Sequence, residues 1–298
     1  MTQEPLVSVI MNCFNGEKYL RQAIDSVLAQ SYKNWEIIFW DNQSTDRSEE
    51  IFRDYRDERL KYFSAPAHTL LHEARNYAFA KANGQFISIL DVDDIWLPEK
   101  LEKQIPLFDD PQVGIVCGNF WYQSERRSKR WKLFKEGAPT GRVTNELLTN
   151  YFVGSLTLVV RRSALETLDV LFDPRLHIIG EFDFVVRLSL HWELAAVMEP
   201  IAIYRLHDGS ETVKNPDRQI RETEVWVDEM KSRKEISSLP GFQNLVSQAA
   251  YLRAKNRVFA GEKSEARQLL ARFPWNRRKL KLWVALLLPT RILKKFSQ

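Results

Sequence analysis

A short apolar run, Phe86-Ile87-Ser88-Ile89-Leu90, ends in Asp91-Val92-Asp93-Asp94, and this junction restricts what the chain can fold into. Five residues rich in β-branched and aromatic side chains read as a buried strand. Three carboxylates at the end of such a strand repel one another and resist desolvation unless a cation lies among them. A hard divalent metal carrying a phosphate meets that need, because Mg²⁺ or Mn²⁺ is held by one or two carboxylates plus phosphate oxygens. An isolated D-x-D-D is more often a solvated acidic loop, so the surroundings decide between the two readings.

Those surroundings alternate strand and helix patterns. Leu6–Met11 and Trp35–Trp40 read as buried strands, and Leu60–Phe63 as a short one. Between them, Glu17–Gln30, Arg47–Tyr55 and His72–Ala82 have helical spacing, the first with Tyr19, Leu20, Ala23, Ile24, Val27 and Leu28 on one stripe. Asn15-Gly16 marks a turn, and Asn83-Gly84 closes the third helix. This βαβαβ order predicts an α/β fold with a parallel sheet covered by helices. Ligands bind such sheets outside the carboxyl ends of the strands. Cys13-Phe14-Asn15, Asp41-Asn42 and Asp91–Asp94 all fall at those ends, so three polar sites converge on one edge.

Farther along, strands are expected at Gly114–Cys117, Leu156–Val160 and Ala195–Val197, and a helix at Asp183–Leu190. From about residue 218 the pattern is helical. Ala250, Tyr251, Ala254 and Val258, then Gly261, then Ala266, Leu269 and Leu270 outline a helical hairpin of the tetratricopeptide kind. Hydrophobic residues make up 44% of the 298 residues, enough for a full core, so disorder is excluded. Two cysteines give neither a disulfide framework nor zinc spacing. The polar start Met1–Pro5 shows no signal peptide, and no apolar stretch approaches the roughly 20 residues that span a bilayer. A cytoplasmic setting is the expectation.

At this point the motifs resemble family-2 glycosyltransferases, nucleotide-sugar enzymes with the GT-A fold. The matching segments are Val7–Asn15, Asp41–Asp46, Ala74-Arg75-Asn76 and Asp91–Asp94, in the family's order and spacing. Two later segments, Ile179–Leu188 and Tyr204–Ser210, resemble further family motifs, so the resemblance covers residue 6 to about 210. It implies a GT-A, Rossmann-like, mixed and mostly parallel sheet flanked by helices over residues 1–215. A helical basic segment over residues 216–298 follows.

The resemblance also implies roles. Cys13, Phe14, Asn15, Asp41, Asn42, Arg75, Asp91 and Val92 would bind the donor, with Asp41 on the base, Arg75 on the diphosphate and Asp91 on the ribose or sugar. Asp93 would ligate Mn²⁺ or Mg²⁺, joined by His207 at the metal or pyrophosphate. Glu181 falls at the usual catalytic aspartate, after Gly180 where the family carries an acid; Asp183 is the alternative base. Each residue has a plainer reading as well. Asp41 could cap the helix after Asp46, Cys13 could be a small buried hydrophobe, and Arg75 could pair with a surface carboxylate. Asp183 suits a helix N-terminus, and Asp94 suits the cap of a helix starting near Leu97-Pro98-Glu99. His68, His72, His177 and His191 show no ligand spacing. Trp96 and Trp121-Tyr122 could form an acceptor platform or pack in the core.

The expected activity is metal-dependent, inverting transfer of a sugar from a nucleotide-sugar donor, UDP first among them, to a glycan or lipid-linked acceptor in bacterial surface-polysaccharide assembly. The alternative is a non-catalytic GT-A protein that binds carbohydrate or nucleotide. A dinucleotide oxidoreductase lacks support, since no Gly-x-Gly-x-x-Gly follows the first strand. Charge is uneven: residues 1–213 sum to about −7 and residues 214–298 to about +11. Arg277, Arg278, Lys279, Lys281, Arg291, Lys294 and Lys295 flank the apolar Leu282–Leu288. That pattern suits an anionic membrane surface on the inner face, or a helix docked on its own domain. No nucleic-acid module accompanies it, so no nucleic-acid partner is expected.

Overall fold

The computed structural model describes residues 4–126, 129–207, 216–271 and 277–288. Strands β1 (Val7–Cys13) and β2 (Trp35–Asp41) are buried at every position. Continuous burial is why they read as unbroken apolar runs, as strands in a parallel sheet do. β1 pairs in parallel with β2 and with β4 (Phe86–Ile89), and β2 pairs in parallel with β3 (Leu60–Ser64). Helices α1 (Leu20–Leu28), α2 (Ser48–Arg53) and α3 (Leu71–Phe79) make the connections. Cys13 lies opposite Asp41 in the register, and Asp91 follows β4 by two residues. The polar segments therefore share one edge.

The chain continues through β5 (Ile95–Trp96), α4 (Lys100–Gln104), β6 (Val113–Ser124), β7 (Arg130–Lys132), α5 (Thr144–Thr149), β8 (Val159–Arg161), α6 (Arg162–Leu165), α7 (Gly180–Ser189) and β9 (Glu193–Leu206). Nine strands form one sheet in the order β3-β2-β1-β4-β8-β6-β9-β5, with β7 beside β6. Its long pairings, including β6 with β9, are parallel; the short ones of β8, β7 and β5 are antiparallel. The expected mixed α/β sheet is present.

Element ends differ from the sequence pattern for local reasons. α1 starts at Leu20 and not at Glu17, because the Gly16 carbonyl accepts the N–H groups of Tyr19 and Leu20 in a turn. β6 and β9 run far beyond Gly114–Cys117 and Ala195–Val197; register shifts around Gly118 and Asn119 interrupt the alternation that would have marked them. Leu156–Val160 opens as a 3-10 turn at Ser155–Thr157 before β8. Gly84 is required by close approach: a Cβ there would lie 2.5 Å from the Ser8 nitrogen and 2.7 Å from the Leu6 oxygen.

Trp35, Phe39, Trp96, Leu101 and Phe120 belong to the main core. Burying each Leu, Ile or Phe there contributes about 1.5–3 kcal/mol. Trp96 donates its Nε1–H to the Leu156 carbonyl at 2.7 Å, so it is a core residue and not an acceptor platform. Lys100 is buried beside it, its Nζ 3.8 Å from the Trp96 ring and 3.1 Å from Ser88 Oγ. Burial pushes that amine well below the usual lysine range.

Contacts divide the chain into two units, residues 1–144 with 151–210, and residues 145–150 with 211–298. Besides nearly all of α5, the described helices of the second are α8 (Pro216–Met230), α9 (Lys234–Ser237), α10 (Pro240–Ala260), α11 (Lys263–Ala271) and α12 (Arg277–Leu287). Gly261, at φ +83°, ends α10, and its N–H reaches the Val258 carbonyl. Such a left-handed C-terminus favours glycine. Ala254 and Val258 then meet Ala266, Leu270, Leu282 and Leu286 in a separate small core, forming the helical hairpin that the spacing predicts.

Candidate active site

Two left-handed residues shape the loops at the carboxyl edge, Asn15 at φ +55° and Gln43 at φ +69°. Asparagine enters this region more readily than most side chains. Asn15 Oδ1 accepts the Thr45 N–H at 2.8 Å, and the Asn15 N–H donates to Ser44 Oγ at 3.0 Å. Asp41 is buried; its Oδ1 accepts the Ser44 N–H at 2.9 Å and its Oδ2 accepts the Tyr62 hydroxyl at 2.8 Å. It thus fixes its own turn and does not cap α2, whose first N–H, that of Ser48, goes to Asp46. Asn42 donates its N–H to the Cys13 carbonyl and its amide to the Thr69 carbonyl, each at 2.8 Å. Phe14 is 51% exposed, its ring 4.3 Å from that of His68. Cys13 is buried, and burial raises its thiol pKa, as expected of a small hydrophobe.

A charged cluster follows β4. Arg75, fully buried on α3, donates from Nη2 to Asp91 Oδ1 at 2.7 Å and from Nη1 to Glu181 Oε1 at 2.5 Å. Its partners are therefore Asp91 and Glu181, not a surface carboxylate beside Glu73. Glu181 is the second residue of α7, where the helix dipole favours a carboxylate. Its Oε2 lies 3.6 Å from His72 Nε2. Burial alone would raise the Glu181 pKa, but Arg75 and His72 overcome it and hold the carboxyl at about 2. For Asp91 the balance is reversed: burial, with Asp93 and Glu181 adding, outweighs Arg75 and raises it.

Gly180 makes room for this arrangement. A Cβ there would lie 2.2 Å from both Cδ2 and Nε2 of His72. The missing acid before Glu181 is thus matched by an imidazole in the same space. Asp183 points elsewhere: its Oδ2 accepts Arg187 Nε at 2.9 Å and Nη2 at 2.6 Å, and Arg187 also donates to the Val170 and Leu171 carbonyls. That network fastens α7 to the preceding loop.

Asp93 and His207, 114 residues apart, meet with Oδ2 and Nε2 at 2.9 Å. Val92 packs against Gly16, where a Cβ would lie 2.9 Å from Val92 Cγ2. Asp94 is buried and accepts the Arg205 N–H at 3.1 Å; α4 begins without a side-chain cap, so the expected helix-capping role is not seen. Among the described residues no group of three or more His, Cys, Asp or Glu is disposed to hold an ion. A carboxylate and an imidazole side by side nevertheless fit a metal that takes its remaining oxygens from phosphates. Asp208–Ser210 of the last motif lie outside the described residues.

Sequence reasoning missed His72, since a lone histidine carries no spacing signal; the glycine at position 180 was the available clue. It also missed Ser155, whose Oγ reaches Asp91 Oδ2 at 3.4 Å, and Tyr151, whose hydroxyl reaches the Glu181 carbonyl at 3.3 Å.

A model of glycosyl transferase family 2 matches residues 8–169. Over 160 residues the chain is 36% identical to the UDP-Glc:alpha-D-GlcNAc-diphosphoundecaprenol beta-1,3-glucosyltransferase WfgD of Escherichia coli. That match covers 54% of this chain and 62% of the relative, less than two thirds of the relative's length. The fold is similar to S. aureus TarS 1-349 in complex with UDP-GlcNAc, with a TM-score of 0.68 at 18% identity, covering 98% of this chain and 91% of that one. It is also similar to the mannosyltransferase PcManGT from Pyrobaculum calidifontis in complex with GDP-Man and Mn²⁺, with a TM-score of 0.64 at 15% identity over 99% and 84% of the two chains.

Proposed function

Because this chain belongs to glycosyl transferase family 2, we propose that it transfers a sugar, with inversion, from a nucleoside diphosphate donor to a hydroxyl of a lipid-linked glycan. The observation that carries this reading is the convergence of Asp93 with His207, and of Asp91 with Glu181 through Arg75, at one edge of the sheet. Four elements far apart in sequence supply these groups, two carboxylates on one buried guanidinium and a third beside an imidazole, a clustering that favours a functional site.

Asp93 and His207 would hold Mn²⁺ or Mg²⁺, which when bound neutralises charge on the departing diphosphate. The loops of Phe14, Asn15, Asp41 and Asn42 receive the nucleoside, with Phe14 offering an exposed ring and Asp41 a fixed carboxylate. Asp91 orients the sugar. Arg75 keeps Asp91 and Glu181 at a set separation, so its contribution is to placement and not to direct contact with phosphate. Glu181, held ionised, accepts the proton of the attacking acceptor hydroxyl through Oε2, since Oε1 is taken by Arg75. Asp183 serves α7 through Arg187.

The acceptor named for WfgD, a diphosphoundecaprenol-linked sugar, supports a lipid-linked acceptor and a surface-glycan context, and the UDP-GlcNAc and GDP-Man complexes support a nucleotide-sugar donor. Among the described residues no helix is long and apolar enough to cross a membrane. α12 instead exposes Leu280, Val284 and Leu287 at helical spacing, with Lys281 also exposed, which supports attachment to an anionic surface. The basic residues Arg291, Lys294 and Lys295 lie outside the described residues.

The test is a panel of UDP-, GDP- and dTDP-sugars with Mn²⁺. Free nucleoside diphosphate should be released from at least one donor, stop with EDTA and return with Mn²⁺. Nucleotide binding without release, even with an identified acceptor, would favour the non-catalytic reading.

A further inference from the structure

Helix α3 carries His72, Arg75, Asn76 and Phe79 at the three- and four-residue spacing that places side chains on one face. That face meets α7 and the loop before it, yet the proposed reaction uses only Arg75. Asn76, the last residue of the Ala74-Arg75-Asn76 segment, grips the backbone of Phe172 with both ends of its amide. Its Nδ2 donates to the Phe172 carbonyl at 2.8 Å, and its Oδ1 accepts the Phe172 N–H at 3.0 Å. From the other helix Arg187, itself fixed by Asp183, donates to the carbonyls of Val170 and Leu171. Three consecutive residues of the loop are thus tied to two helices.

What this clamp holds in place is the Phe172 ring, which is fully buried. It lies nearly parallel to the His72 ring, at 5.2 Å and 5°, and stacks on Phe184 at 4.4 Å and 23°. Phe79 meets it edge-on at 5.5 Å, and the Arg75 guanidinium is 5.8 Å from its centre. Phe184 stands one turn beyond Glu181 on α7. Phe172 is therefore the spacer between the two helices, and both side chains that reach the Glu181 carboxylate rest against it.

Those two side chains hold different oxygens. Arg75 pins Oε1. A carboxylate pinned at one oxygen can still swing the other about that point. The second point is His72, whose Nε2 lies 3.6 Å from Oε2. Its ring is confined on one side by Phe172 and on the other by the backbone of Gly180, where a Cβ would come within 2.2 Å of it. Oε2 keeps lone-pair capacity for an incoming proton, because a carboxylate oxygen accepts more than one partner.

We propose that His72 and Asn76 are positioning residues of the transfer: Asn76 fixes Phe172, Phe172 fixes the plane of the His72 ring, and His72 sets Oε2 of Glu181 toward the acceptor hydroxyl. The inference rests on the reading of Glu181 as the base and adds the parts that aim it. Neither residue touches the substrate. Asp183, through Arg187, is the outer anchor of the same clamp. Placement matters at this scale, since an error of about 1 Å at a reacting group can cost on the order of 10²-fold in rate.

Two variants test it in the full chain. His72→Phe keeps an aromatic ring for the stack on Phe172 and removes the nitrogens; Asn76→Ala opens the clamp. Release of nucleoside diphosphate from UDP-glucose, UDP-N-acetylglucosamine and GDP-mannose with Mn²⁺ gives kcat and KM. In each variant kcat should fall about 10–100-fold, with KM for the donor within a factor of about three of wild type. In a Glu181→Gln background neither change should lower the remaining rate more than about twofold, because the carboxylate they aim is gone. Crystal structures of the variants should show Oε1 still on Arg75 and Oε2 displaced. Wild-type kcat in His72→Phe, an equal fall with and without Glu181, or a rise in KM that matches the fall in kcat would each overturn the proposal. Glu181 unmoved in both crystal structures would overturn it too. If Asn76→Ala does not fold, His72→Phe still carries every one of these measurements. If the wild type releases nothing from any donor, the transfer reading fails, and the crystal structures alone decide whether His72 and Asn76 set the carboxylate.

Discussion

The same sheet buries carboxylates at both ends of its strands and treats them differently. At the amino end Glu36 accepts the Ser8 hydroxyl at 2.6 Å and the Asn83 N–H at 2.8 Å, and it pairs with Lys61. Burial would raise its pKa, but these partners lower it. At the carboxyl end Asp91 and Glu181 share the Arg75 guanidinium, Asp93 meets His207, and His72 lies 3.6 Å from Glu181. One end is balanced internally and serves stability. The other carries excess negative charge, the condition under which a site awaits a cationic or proton-donating ligand.

Breaking the carboxyl end should cost activity before stability. Glu181→Gln keeps the shape and the Arg75 hydrogen bond but removes the proposed base. Transfer should fall by about 10²–10⁴-fold while calorimetry finds nucleotide-sugar affinity within a factor of about three of wild type. Unchanged transfer would move the base elsewhere. Asp93→Asn should follow with a loss on the order of 10²-fold and a raised Mn²⁺ requirement, read by metal titration of turnover, because metal affinity falls when a ligand is lost. An Asp93→Asn enzyme with wild-type metal dependence would take the ion away from the Asp93–His207 pair.

At the amino end the readout changes. Glu36→Gln should lower stability by about 1–3 kcal/mol in urea unfolding and leave donor affinity intact at temperatures where the protein stays folded. The pH dependence separates the ends further. A carboxyl with a depressed folded pKa stabilises the protein above its unfolded value and loses that contribution as pH falls through the folded value. For Glu181 the window runs from the ordinary 4.5 down to about 2. Glu181 therefore stays ionised across the working range, and kcat/KM should show no acid limb from it above pH 5.

The contrast also explains what the sequence made legible. β1, β2 and β4 stood out because strands buried on both faces leave unbroken apolar runs, and their polar ends marked the edge of the candidate site. β6 and β9 did not, since Gly118, Asn119 and Pro200 fall where the register shifts and the alternation is lost. Individual acids were visible as motif positions, but pairing is a property of the fold. Nothing local joins Asp93 to His207 or Arg75 to Glu181. The exchange of a side chain at Gly180 for the His72 ring is visible only when two distant elements are seen to share one volume.

Asp94 gives the smallest and most discriminating test of the comparison. It is 2% exposed and accepts the Arg205 N–H, and the charges of Asp93 and Asp91 beside it are opposed only in part by that of Arg205. A buried carboxylate next to like charges costs stability, in contrast to Glu36, where the same group is matched by a cation. Asp94→Asn keeps an oxygen for the Arg205 N–H and removes the repulsion. It should therefore raise the melting temperature, by about 2–4 °C for roughly 1 kcal/mol, where Glu36→Gln lowers it. A fall on Asp94→Asn would mean that the Arg205 charge already balances this carboxylate within the fold, and that the carboxyl end is as balanced as the amino end.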